Sequence, residues 1–326
     1  MKSGTYLNIL EQRDSCNVEE LHRVILDVYK EKKYDEDGNI EEDNQIVQLY
    51  EVVNSALKKN KFIGTSADFH NLSVECARRN AEEVACDFLE RGLDKYPISV
   101  DLLADYIKYG VVCNRIENCR RYYSTLDRIP KSNWNWRAFR FSIDYLMVEM
   151  EREICGSEIK QTMLSLAEEF RRYIPDDENG YLVQSEVHSR FNEKELEIAI
   201  LEEAVAKLPR ASKSLLRLAD IYYMQGRVEE ALSSLCRCEL DSLEPQMGVS
   251  QGYLYYLDGL CQSNILLREL DNVQIERDAI REKALKIYDS LKIAKKSLDH
   301  SFNLQNEWKF LVNMLEVKTK VEYPYY

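Results

Sequence analysis

Residues 211–245 read ASKSLLRLADIYYMQGRVEEALSSLCRCELDSLEP. Numbering a unit from Ser212, apolar or small residues fall at Leu215, Leu218, Ala219 and Tyr222. That spacing, i, i+3, i+4, i+7, is one face of a helix. Gly226 stands where the chain has to turn, and Ala231, Leu235 and Cys238 form the stripe of a second helix ahead of Pro245. A single pair of this kind cannot bury its own apolar face, so everything depends on whether the pattern recurs.

It does. Shifted back 34 residues, Tyr181, Gln184, Ser185 and His188 take the first-helix positions and Asn192 the turn. Leu201, Ala204 and Pro209 follow, with Glu197 where a small residue is expected. A unit from Ser66 supplies Phe69, Leu72, Ser73 and Cys76, then Asn80, Ala85, Leu89, Gly92 and Pro97. The next supplies Leu103, Tyr106, Ile107, Cys119, Tyr123 and Leu126, with Pro130 one place early. Two further units are irregular. Trp136, Phe139 and Ile143 open one whose closing MLSLAEEFRRYIP comes late, the excess lying near EMEREICGSE as a lengthened helix or a loop. In the other, GYLYYLDGLCQSNILL pairs with KALKIYDSLKIAKKSL across a charged stretch.

Large, Leu, small and Tyr in a first helix, then Ala, a large residue and a small one in a second, followed by Pro, resembles the tetratricopeptide repeat. The resemblance covers residues 66–300 and implies an all-α fold, a right-handed α-solenoid of stacked antiparallel helix pairs. Units are expected near 66–99, 100–132, 133–177 with an insertion, 178–211, 212–245 and 252–300. Residues 1–64 read as a helical hairpin, from NVEELHRVILDVYKEKK and NQIVQLYEVVNSALKKN, packed on an array spanning 65–300. Residues 301–326 read as a capping helix and tail, because an end unit has to cover the last apolar face.

Composition agrees with a helical protein. Eleven glycines and six prolines in 326 residues are few for a sandwich or a glycine-looped enzyme. A net charge of −13 opposes general affinity for nucleic acid or anionic membrane. The amino terminus shows no apolar leader, and no run is long enough to span a bilayer. The expected compartment is therefore the cytoplasm, and the nine cysteines read as reduced, mostly buried side chains. No CxxC pair supports a zinc site. The loop at Asp35–Asn44 offers Asp35, Asp37, Gly38 and Ile40 to a calcium-loop pattern, but Lys33 and Asn44 occupy the positions that need carboxylates. No nucleophile, metal or phosphate motif appears, so neither catalysis nor a cofactor is expected.

In the resembling family the inner face is lined by positions 2, 5, 6, 9, 12 and 13 of each first helix. Here these positions supply His70, Asn71, Arg78, Lys108, Trp134, Arg137, Phe141 and Tyr145, then Arg190, Lys213, Arg217, Tyr223, Tyr253 and Tyr256. Cations and rings of this kind suit an extended protein or peptide segment with acidic and apolar groups. The five-residue clamp for acidic chaperone tails is matched by Lys213 and Arg217 but not by Val183 or Phe141. The leading expectation is a non-catalytic interaction scaffold. A bacterial-style regulator that closes around a signalling peptide is an alternative, without a helix-turn-helix ahead of Ser66. An RNA-binding helical repeat is a second, opposed by the acidic whole.

Overall fold

The computed structural model describes residues 16–30, 62–152, 156–243, 248–272, 276–298 and 302–325. The acidic loop at 35–44 and the second helix expected before residue 61 lie outside them. Apart from two short strands and isolated 3-10 turns, the described elements are α-helices, arranged as stacked helix pairs. The chain divides into two compact units, Met1–Pro175 and Asp176–Tyr326.

In the first unit, strand β1 (Cys16–Asn17) pairs in parallel with β2 (Phe62–Ile63). Asn17 then starts helix α1 (Val18–Lys30), its Oδ1 accepting the Glu19 N–H at 3.0 Å. A capping box starts α2 (Ser66–Ala77). The Thr65 hydroxyl accepts the Asp68 N–H, and the Asp68 carboxylate accepts the Thr65 N–H at 2.7 Å. The chain continues through α3 (Glu82–Lys95), α4 (Val100–Val112), α5 (Ile116–Asp127), α6 (Trp136–Arg152) and α7 (Gly156–Tyr173). Each helix packs on the next within a pair, and the first helices α2, α4 and α6 lie side by side. The core between them takes Phe69, Leu72, Leu89, Leu103, Tyr106 and Ile107. Phe139 of α6 stacks on Phe170 of α7 with centroids 5.1 Å apart. Among the described residues this last pair has longer helices, α6 running 17 residues and α7 running 18.

The second unit contains α8 (Glu178–Arg190), α9 (Lys194–Lys207), α10 (Ser212–Met224), α11 (Val228–Cys236), α12 (Gly248–Asn272), α13 (Arg277–Leu298) and α14 (Phe302–Thr319). Leu311, Val312 and Leu315 of α14 bury against Ala284, Ile287, Tyr288 and Leu291 of α13. The Trp308 indole N–H donates to the Leu291 carbonyl at 2.8 Å. Tyr323, past the end of α14, packs its ring against Tyr288 and Trp308.

Four first helices stop in the same way. Asn80, Asn114, Asn192 and Gly226 have φ of 56°, 57°, 58° and 76°. At each, the residue's own N–H bonds the carbonyl three back, and the next N–H bonds the carbonyl five back, as Arg227 does to Tyr222 at 2.8 Å. This is a Schellman closure, which asks for a residue that tolerates the left-handed region. Asn and Gly are those residues.

Candidate interaction face

The first unit brings four of the expected site residues together across α2, α4 and α6. The His70 Nδ1 is hydrogen-bonded to the carboxylate of Asp105, which is 1 % exposed. Its Nε2 meets Arg137 Nη1 at 3.0 Å. A guanidinium only donates, so Nε2 accepts and Nδ1 carries the proton given to Asp105. Arg137 Nη2 donates in turn to Asp101 Oδ1 at 2.5 Å, and Asn135 Nδ2 donates to the same oxygen at 2.7 Å. Asn135 also caps α6, accepting the Ala138 N–H at 3.0 Å. One polar chain therefore links three consecutive helix pairs.

Beside this chain lies an apolar ledge. Lys108 Nζ stands 5.0 Å from the Phe141 ring centroid and 5.2 Å from that of Tyr109. Trp136 sits edge-on to Phe141 at 6.0 Å and is 43 % exposed. Val112, one turn beyond Lys108, is 64 % exposed. Among the described residues Lys108 makes no ion pair. Asn71 is exposed on α2, and Arg78, past its end, reaches Glu75 at 3.4 Å.

Several expected face residues belong to the core instead. Trp134 is buried, its ring against Phe139 and its indole N–H donating to the Ile129 carbonyl at 3.2 Å. Tyr145 is buried beside Tyr123, and burial pushes its phenol up to about 12. Phe141 is buried too, with the ledge built over it. Rings at these positions pack between neighbouring helices, which removes Trp134 and Tyr145 as direct contacts.

In the second unit Arg217 is committed to the fold. Its Nη2 donates to Glu197 Oε1 at 2.9 Å, and Lys194 Nζ holds the other oxygen at 2.9 Å. Glu197 is fully buried, so this carboxylate in a small-residue position is compensated by two cations. Removing either cation leaves a buried charge underpaired. Tyr253 donates to Asp220 Oδ1 at 2.5 Å, and Tyr256, buried, donates to Glu307 Oε2 at 3.2 Å. Tyr223 is half-buried on the α10–α12 cluster. Lys213 lies near Glu178, which accepts the Ser214 N–H at 2.5 Å and whose carboxyl burial pushes upward. Arg190 is exposed at the end of α8.

The sequence reading missed Asp101, Asp105 and Asp220. They stand at positions 2 and 6 of the unit from Val100 and position 9 of the unit from Ser212. These are the same inner positions as the cations, so summing charge over all of them would have found the pairing. Among the described residues no group of His, Cys, Asp and Glu could hold a metal ion, and no helix is long and apolar enough to cross a membrane.

No family model matches the sequence, and no curated relative does. Solved structures do. A tetratricopeptide repeat protein from Parabacteroides merdae is 14% identical, covering 91% of this chain and 98% of its own, with a TM-score of 0.50. A thermophilic protein of this type from Thermus thermophilus is 18% identical over 53% of this chain and 89% of its own, at 0.44. Human IFIT1, solved as a dimer with m7Gppp-AAAA, is 12% identical over 93% and 69%, at 0.45. At these identities the likeness concerns fold alone, and the fold is a tetratricopeptide-type helical repeat.

Proposed function

We propose that this protein is a non-catalytic interaction scaffold, and that the face formed by α2, α4 and α6 holds an extended segment of a partner protein. The observation that carries this reading is the exposed Trp136 and the unpaired Lys108 on either side of the Phe141 ring, set on a floor whose own charges are already paired. A neutralised floor does not demand a counter-ion, and it holds the ledge in place through three helices. An exposed Trp gives contact area at low entropic cost. The open ammonium of Lys108 accommodates one carboxylate. The segment that fits is mainly apolar with a single acidic group, rather than a strongly acidic one.

The pairing also argues against a polyanion. Binding RNA requires many free cations along a groove, whereas Arg137 and Arg217 are spent on Asp101 and Glu197. Cytoplasmic residence belongs to this same reading.

The test uses the full-length chain and the partner it retains from lysate, with Trp136→Ala and Lys108→Glu. Each is expected to weaken retention about tenfold or more, in keeping with the loss of an interface anchor. Retention of every wild-type partner by the double variant would overturn the assignment. Binding that survives in the variants and collapses between low and moderate salt would favour RNA instead.

A further inference from the structure

In the second unit the tail after α14 doubles back onto α13. The Tyr288 hydroxyl donates to the Val321 carbonyl at 2.9 Å, and the Tyr323 N–H donates to Glu316 Oε1 at 2.7 Å. Between tail and helix lies a cavity of about 490 Å³. Small-molecule sites run from roughly 300 to 1,000 Å³. Arg277, Arg281 and Lys320 line it, together with Leu285 and Val321, both half-buried. Arg277, Arg281 and Leu285 recur every fourth residue, so they share a face of α13, and that face leads to Tyr288, which grips the tail. Asp278 and Glu322 also line the cavity, which leaves its lining with one net positive charge.

The three cations are uncommitted in an acidic chain. Nearby on α13, Lys283 and Lys286 pair with Glu269 and Glu282, and Arg268 of α12 pairs with Glu229. Among the described residues Arg277, Arg281 and Lys320 make no ion pair, although the chain carries a net charge of −13. Lys320 also stands where a lysine is disfavoured. It closes α14 at φ 59°, its N–H bonding the Glu316 carbonyl at 3.0 Å in a left-handed cap. Among the described residues the other positive-φ positions hold Asn or Gly, which tolerate that conformation. Backbone held in an unfavourable region collects at ligand-binding positions, and here it brings an ammonium to the cavity.

We propose that this cavity binds a small phosphomonoester with an apolar body, of the aryl or alkyl phosphate class. A phosphoryl group presents three terminal oxygens, one for each cation, whereas a carboxylate presents two. Guanidinium forks one turn apart and a point-charge ammonium suit those oxygens. The organic body lies on Leu285 and Val321. Asp278 and Glu322 limit the charge the site accepts, because they repel a second phosphate placed beside the first. The ligand is therefore a single phosphoryl group rather than a polyanion. The assignment lies within the second unit and does not depend on the reading of the α2, α4 and α6 face.

The experiment is isothermal titration calorimetry on the full-length protein in low-salt, phosphate-free buffer, with phenyl phosphate as the probe. One-to-one binding is expected, about tenfold tighter than that of benzoate or of inorganic phosphate. Arg281→Gln and Lys320→Asn should each weaken it about tenfold or more, through loss of a charge-assisted contact. Asn is at home in the left-handed region, so Lys320→Asn removes the ammonium and keeps the cap. Circular dichroism confirms that each variant is folded. Lys309→Gln, at an exposed cation of α14 outside the cavity, should change nothing. Absence of phenyl phosphate binding, equal binding of benzoate, tighter binding of tripolyphosphate, or unchanged binding in both cavity variants would each overturn the proposal.

Discussion

Four of the helix pairs keep the 34-residue period, and two, α6 with α7 and α12 with α13, outrun it. The long pairs bury Phe139 and Ile143, or Leu257 and Cys261, just as the regular ones bury Phe69 and Leu72. In the four regular pairs the fifteenth residue is Asn80, Asn114, Asn192 or Gly226, and it sits in the left-handed region. Counted from 133 and from 252, the fifteenth residues of the long pairs are Met147 and Leu266. Their first helices run on to Arg152 and Asn272. A left-handed residue with an ordinary side chain costs about 1–2 kcal/mol, so Met and Leu keep the helix going where Asn and Gly release it. Period in this chain is set by one backbone-permissive residue per unit rather than by the hydrophobic pattern.

The sharpest way to break this comparison is Gly226→Val. A β-branched residue at φ 76° should destabilise the second unit by about 2 kcal/mol, read as a lowered urea midpoint with unchanged slope. An unchanged midpoint would mean that the stop is imposed by packing. Asn114→Ala comes next, at about 1–2 kcal/mol, because it strains the turn and also removes the acceptor that Arg152 Nη2 reaches at 2.5 Å. In the opposite direction, Asn192→Gly keeps the turn and relieves the left-handed strain, so it should be neutral or stabilising by a few tenths of a kcal/mol, roughly. A clear loss there would show that the Asn side chain matters beyond its backbone.

A pH measurement sharpens how regular pairs are joined. Glu178 of α8 reaches across to the first turn of α10, and burial raises its carboxyl above 4.5. The folded chain then keeps a proton that the unfolded chain has already released. Stability from this group falls as pH rises through that window. Glu178→Gln, which still offers an oxygen to the Ser214 N–H, should gain on the wild type as pH rises above 4.5. Parallel stability curves would place the buried carboxylate outside the balance.

Legibility followed the range of the interactions. Stripe positions such as Phe69 and Leu72, the turns at Asn80, Asn192 and Gly226, and the apolar run of α14 all depend on residues within a few places of one another. At the positions expected to line an inner face, the sequence does not show which charges are already paired. Arg137 looked like an open cation because its partners, His70 and Asp101, are 67 and 36 residues away. Arg217 matched a familiar carboxylate-binding position, yet it serves Glu197, 20 residues earlier.

The amino-acid order by itself determined the helix pairs, their period and the places where the period breaks, because helix periodicity and left-handed turns are local backbone properties. Which inner-face side chains meet water, and which are consumed by a neighbouring helix, was decided only in the tertiary structure. That outcome depends on how adjacent helices rotate against each other, and a rotation that seats Trp134 and Tyr145 in the core leaves Lys108, Val112 and Trp136 outside.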